Sequence, residues 1–206
     1  MDQLPVRRLF GPAVAMVLFG LTIGAVAASG ATHASARIVD AAGDTIGWAR
    51  FVEDEAGRLH ISVQVEGLAP GRHGIHLHSV ASCVGPAFTS AGGHHNPLGM
   101  EHGLANAAGA HAGDLPNLMV NVMGHGHLQA VSDRATLSSG PVSLFDRDGS
   151  AVIIHAALDD QVTNPTGNSG ARVACGVIRP AGECRSCLPT RGRCDEGRGT
   201  RSRTVR

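Results

Sequence analysis

Residues 58–68 read RLHISVQVEGL, and their alternation decides the fold class. Leu59, Ile61, Val63 and Val65 fall on one side of an extended chain; His60, Ser62, Gln64 and Glu66 fall on the other. The same period of two recurs on both sides of this stretch. TIGWARFVED (45–54) follows it roughly, with a bulge expected near Arg50. GRHGIHLHSV (71–80), LMVNVM (118–123), HLQAVSD (127–133), VSLFDR (142–147), AVIIHAAL (151–158) and ARVACGVIR (171–179) extend it. Turn-forming AAGD, DEAG, LAPG and DRDG separate the runs. Strands recurring every 8–12 residues or so predict an all-β domain, a sandwich or barrel of about eight antiparallel strands.

Residues 80–117 break the rhythm, with seven Gly, three Pro and little strand pattern. A structureless loop of this length inside a compact domain needs something other than a core to order it. The loop carries His94, His102, His111, Asp114 and Cys83, so bound metal and a disulfide are the expected ordering agents.

The rest of the 206-residue chain divides by charge. Residues 1–36 have a net charge of +1, residues 37–180 of −5 and residues 181–206 of +4, and there is no lysine. The mildly acidic body is not expected to bind nucleic acid. Residues 1–36 read as an export signal: a charged start, an apolar run from Leu9 to Ala28, then Ala25-Val26-Ala27 and Ala34-Ser35-Ala36 as cleavage-like patterns. The alternative is an uncleaved membrane anchor, since twenty apolar residues span a bilayer of about 30 Å. The expected location is thus periplasmic, extracellular or membrane-anchored, an oxidising setting in which disulfides persist. Residues 181–206, rich in Arg and Gly, read as a disordered basic tail. The tail holds Cys184, Cys187 and Cys194, whose C-x2-C lacks a fourth ligand for a closed zinc site.

The histidines carry the chemistry. His76 and His78 are two apart on one strand and project from the same face. His155 follows another strand run, AVII, and can meet them across the sheet. Three such imidazoles suit zinc, copper, iron or nickel. His102, His111 and Asp114 come from the loop and add a second set with an oxygen ligand. His125 and His127 in MGHGH look like a metal pair without partner ligands, and read as a solvated turn.

GRHGIHLH, SAGGHHNP, EHG, HAGDLPN, VIIHAALDD and GNSGARVACGVI, in this order over Ala36–Arg179, resemble the copper/zinc superoxide dismutase family in its bacterial exported form. The resemblance implies a Greek-key β-barrel with long metal-binding loops. It implies copper ligands at His76, His78, His94 and His155, and zinc ligands at His94, His102, His111 and Asp114. His94 would bridge the two metals and act in catalysis. Asp159 would link a copper ligand to a zinc ligand, and Cys83 would pair with Cys175. Arg172 would guide superoxide, and His73 would bond backbone. His95 stands where the family usually has an aromatic residue and is given no ligand role. Dismutation of superoxide is the implied activity. A metal-binding protein of the same fold without turnover is the alternative, and a homodimer is compatible with the resemblance.

Overall fold

The computed structural model describes residues 32–181. They form ten strands: β1 (His33–Asp40), β2 (Thr45–Glu53), β3 (Leu59–Val65), β4 (Gly71–His73), β5 (Ile75–His78), β6 (Leu118–Val120), β7 (Gly126–Ser132), β8 (Ala151–His155), β9 (Arg172–Val177) and β10 (Arg179–Pro180). Among the described residues the only helical element is a 3₁₀ turn, Thr89–Ala91. No helix there is long and apolar enough to cross a membrane. The residues read as export leader lie outside the described part up to Ala31, and so do Cys184, Cys187, Cys194 and the basic tail after Ala181.

Every strand pairing is antiparallel, in the order β4-β6-β7-β3-β2-β1-β9-β8-β5, with β10 against β1. The two ends of this order, β4 and β5, are joined through Gly74 alone, so the sheet returns on itself as a nearly closed barrel. A Cβ at Gly74 would lie 2.7 Å from Ser169 Cβ, so the close approach at this corner requires glycine. The β7–β8 connection runs from one side of the β1–β3 meander to the other, the Greek-key crossing.

The alternation of 58–68 holds in three dimensions. Leu59, Ile61, Val63 and Val65 are buried on β3 and join Ile38, Phe51, Leu77, Leu118 and Ile154 in the main core. Three details differ from the sequence reading. The register irregularity of β2 lies opposite Ile38/Val39, near Ile46, and not at Arg50. VSLFDR is not a strand: only Leu144 and Ser143 are buried, and the segment crosses the barrel as a loop. That loop is pinned by Glu53, whose carboxylate accepts N–H bonds from Leu137 and Ser138 and the Ser138 hydroxyl. Finally, β1 starts at His33, so residues 33–36, read above with the leader, belong to the first strand.

Candidate metal centre

The strands place three histidines. On β5, Ile75 and Leu77 enter the main core while His76 and His78 face the opposite way, beneath the loops. β8 pairs with β5 and carries His155 at its end, opposite Arg172 of β9. The loop of residues 79–117 folds back so that His94 bridges to His78 and Asp114 to His76. Gly113 permits this, because a Cβ there would lie 2.2 Å from the Leu77 carbonyl oxygen. A disulfide joins Cys83 in that loop to Cys175 of β9, with Cα atoms 5.7 Å apart.

His76, His78, His94 and His155 converge, their candidate ligand atoms all within 4.8 Å of one another. Each ring is oriented by its other nitrogen. His76 Nε2 donates to Asp159 Oδ2 at 2.6 Å, His78 Nδ1 to the Gly92 carbonyl at 3.0 Å, and His155 Nδ1 to the Gly170 carbonyl at 3.1 Å. The opposite nitrogens, His76 Nδ1, His78 Nε2, His94 Nε2 and His155 Nε2, are buried and have no hydrogen-bond partner. Four orphaned imidazole nitrogens at one point contradict the rule that buried polar atoms are satisfied. A metal ion resolves the contradiction, and partner-held tautomers are the usual arrangement around one. Burial pushes the His155 pKa down to about 4, His76 to about 3 and His78 to about 2, so these rings stay neutral in weak acid.

A second set lies on the other side of His94. Asp114 Oδ1 is 3.1 Å from His94 Nδ1, 3.0 Å from His102 Nδ1 and 3.4 Å from His111 Nδ1, and the His94 and His111 nitrogens are 3.2 Å apart. A tetrahedron with bonds of 2.0–2.1 Å has edges of about 3.3 Å, so these four atoms fit a tetrahedral zinc-sized ion. Asp114 Oδ2 is occupied by the backbone N–H groups of Gly103 and His111, which leaves Oδ1 for the centre. His76 also lies within reach of His94, His102 and Asp114, but its Nε2 is committed to Asp159. Burial disfavours the charged form of His102, yet hydrogen bonds to Asp114 and Asp159 outweigh it and raise its pKa to about 9. The same contacts hold both carboxyls well below the usual range, against the effect of burial.

Asp159 ties the two sets together. Its second oxygen accepts from His102 Nε2 at 3.1 Å, while Oδ2 takes His76. Asn117 fixes its backbone through two hydrogen bonds, at 2.8 and 2.9 Å. Gly167 packs so closely that a Cβ there would lie 1.8 Å from Asp159 Oδ1.

Arg172 lines a depression with His78, His94, His111, His155 and Thr166. Its guanidinium donates to the carbonyls of Phe88 at 2.7 Å and Gly92 at 2.6 Å. Gly92 thus orients Arg172 and His78 through one oxygen. The sequence reading missed Gly92 and Gly170, because a carbonyl acceptor leaves no mark on residue type. His73 lies 2.7 Å from the His155 carbonyl and 2.8 Å from that of Ala69, bonding backbone as expected. His95 is buried and belongs to neither set; His125 and His127 are exposed.

A Greek-key barrel with a buried, two-part histidine–aspartate centre under its loops defines a metalloprotein of the dismutase type. The family model for copper/zinc superoxide dismutase matches residues 45–178, and the chain belongs to that family. It is 41% identical over 148 residues to superoxide dismutase [Cu-Zn] 2 of Aquifex aeolicus, covering 71% of this chain and 86% of that protein. It is 42% identical over 144 residues to superoxide dismutase-like protein YojM of Bacillus subtilis, covering 69% and 74%. A crystal structure of a superoxide dismutase-like protein from Bacillus subtilis superposes with a TM-score of 0.66 at 42% identity, over 69% of this chain and 95% of that one. The Cu/Zn superoxide dismutase of Brucella abortus superposes with a TM-score of 0.59 at 29% identity, over 71% and 99%.

Proposed function

We propose that the chain is a superoxide dismutase that converts superoxide to oxygen and hydrogen peroxide. Copper would be held by His76, His78, His94 and His155, and zinc by His94, His102, His111 and Asp114. When bound, copper supplies a one-electron redox couple, and zinc, which has no redox chemistry, orders the loop ligands. Arg172 attracts the small anion and orients it with a planar fork of donors. His94 presents Nδ1 to the loop set and Nε2 to the four-imidazole set, and when Nε2 is not serving as a ligand it would hold a proton for the forming peroxide. Asp159 keeps His76 and His102 in the tautomers that leave their Nδ1 atoms free.

One observation carries this reading: four buried imidazole nitrogens without partners meet beside a cation in an open depression. A protein that only stored metal would have no use for Arg172 held at the mouth by two carbonyls. The purified holoprotein is expected to contain one copper and one zinc per chain and to consume superoxide. His155→Ala should abolish the activity; full activity with copper bound in that variant would refute the ligand assignment.

The same proposal makes the chain an exported protein with a leader, a dismutase body and a basic tail. The Cys83–Cys175 disulfide supports an oxidising location. Of the two cleavage-like patterns, cutting after Ala27 leaves β1 whole, whereas cutting after Ala36 removes Ala34 and Ala36 from the core. N-terminal sequencing of the exported protein distinguishes them.

A further inference from the structure

Met119, Met123, His125 and His127 lie outside the metal centre, on the hairpin joining β6 to β7. The barrel explains only half of the sequence GHGH there. Gly126 faces inward, and a Cβ on it would meet Val65 Cγ2 at 2.8 Å and Val120 Cγ2 at 3.1 Å. Gly124 takes a φ of 83° in the turn, where glycine is favoured. The histidines point outward, where packing makes no demand on them.

The strand register brings Met119, His125 and His127 to one face, with Met123 in the turn beside them. Met119 pairs directly with His127. Their neighbours Leu118, Val120 and Leu128 are buried, so both face outward. Directly opposed residues on one face have Cβ atoms about 4.5–5.5 Å apart. His125 lies two residues back on the same face, and Asn121 N–H donates to its carbonyl at 2.9 Å. Met123 sits in the intervening turn, its N–H held by Asn121 Oδ1. Met119 is 57% and Met123 74% exposed, although methionine is a residue type usually buried. Among the described residues neither imidazole makes a side-chain hydrogen bond or ion pair. On the flank of β7 away from Met119, Gln64 of β3 and the adjacent Glu66 line a shallow depression with His125 and His127.

We propose that this hairpin is a surface copper(I) site, with the Met119 and Met123 sulfurs and the His125 and His127 imidazoles as its donors. Thioether sulfur is a soft ligand that selects copper(I), whereas zinc is served by imidazole, thiolate and carboxylate. The site stands on β6 and β7, away from β5, β8 and the loops that build the buried centre. It therefore offers the chain a place to take up reduced copper independently of that centre.

The test uses the full chain with copper and zinc loaded at the buried centre. The thiols of Cys184, Cys187 and Cys194 are alkylated, so that they contribute nothing. Copper(I) is titrated anaerobically against a chromophoric copper(I) chelator. One further equivalent is expected to bind. The Met119→Leu/Met123→Leu and His125→Gln/His127→Gln variants should each weaken it at least about tenfold, the scale on which even supporting partners affect metal sites. The methyl resonances of Met119 and Met123 should shift on titration while that of Met100 stays in place. Superoxide consumption should be unchanged in both variants, confirming that they fold. Absence of a further equivalent would overturn the proposal, as would equal affinity in wild type and the methionine variant. Zinc competing at equal strength for the site would also overturn it.

Discussion

Replacing Asp159 by Asn tests the link between the two ligand sets at its narrowest point. The carboxylate accepts N–H bonds from His76 Nε2 at 2.6 Å on one oxygen, and from His102 Nε2 at 3.1 Å and the Gln161 backbone at 2.6 Å on the other. An amide has one acceptor oxygen and one NH₂ donor. One of the two imidazoles must then face the NH₂ group with a bare nitrogen, which forces its proton onto Nδ1. In His76 that atom is an orphan of the four-imidazole set; in His102 it is the atom 3.0 Å from Asp114. Either way one proposed metal site loses a ligand while its side chains stay in place. Loss of such an orienting partner costs about 10–100-fold in metal affinity, equivalent to roughly 1.4–2.7 kcal/mol. The assay is competitive loading of copper and zinc into Asp159→Asn, read by elemental analysis against chelators of graded strength. One metal should fall well below one per chain. If Asp159→Asn bound both metals as tightly as the wild type, the tautomer argument would be refuted.

Arg172→Ala should retain both metals and lose most of its superoxide rate, with Arg172→Lys in between, since ammonium keeps the charge but not the fork. Rate constants measured across ionic strength check this, because salt screens long-range attraction; equal rates at low salt would exclude the role. Removing the disulfide with Cys83→Ser/Cys175→Ser opens a link spanning 92 residues and should cost about 4–5 kcal/mol in the chain-entropy model, read as a lower Tm. It should also slow turnover at full metal content, because Gly92 orients both His78 and Arg172 from the tethered loop. Burial alone would raise the Glu53 pKa, but bonds from Ser138 and Leu137 lower it. Its stabilisation is therefore complete above its unfolded pKa of about 4.3 and disappears as pH falls through the lower folded value. Glu53→Gln should cost on the order of 1–2 kcal/mol at pH 7 and flatten that acid dependence, as followed by denaturant unfolding.

The barrel was legible where burial is one-sided. On β3 every second residue is buried, so the period of two survives in the sequence. On β8 all five residues are buried, and only the apolar run AVII marks the strand. VSLFDR misled for the opposite reason: it alternates without a partner strand, and Glu53 holds its neighbourhood as a loop. β1 was obscured by its small residues, which read as a processing site although Ala34 and Ala36 are core. At the centre, histidine and aspartate are distinctive residue types, so the side chains the structure gathers could be named from sequence. The acceptors at Gly92 and Gly170 could not, nor could Gly167, whose constraint is the space taken by Asp159.

This contrast bears on how the centre is assembled. His76, His78 and His155 are fixed by the β5–β8 register, which the core enforces through Ile75, Leu77, Val152 and Ile154. His94, His102, His111 and Asp114 lie on a loop with little core of its own, and their positions depend on one another through shared contacts at Asp114. The strand histidines are therefore preorganised by the barrel, while the loop set would gain its order from the disulfide and from the ion proposed for it. His94 and Asp159 are the two points where one set touches the other. Loss of the loop ion should thus be felt at the strand site through His94 and the tautomer of His76, without displacement of β5 or β8.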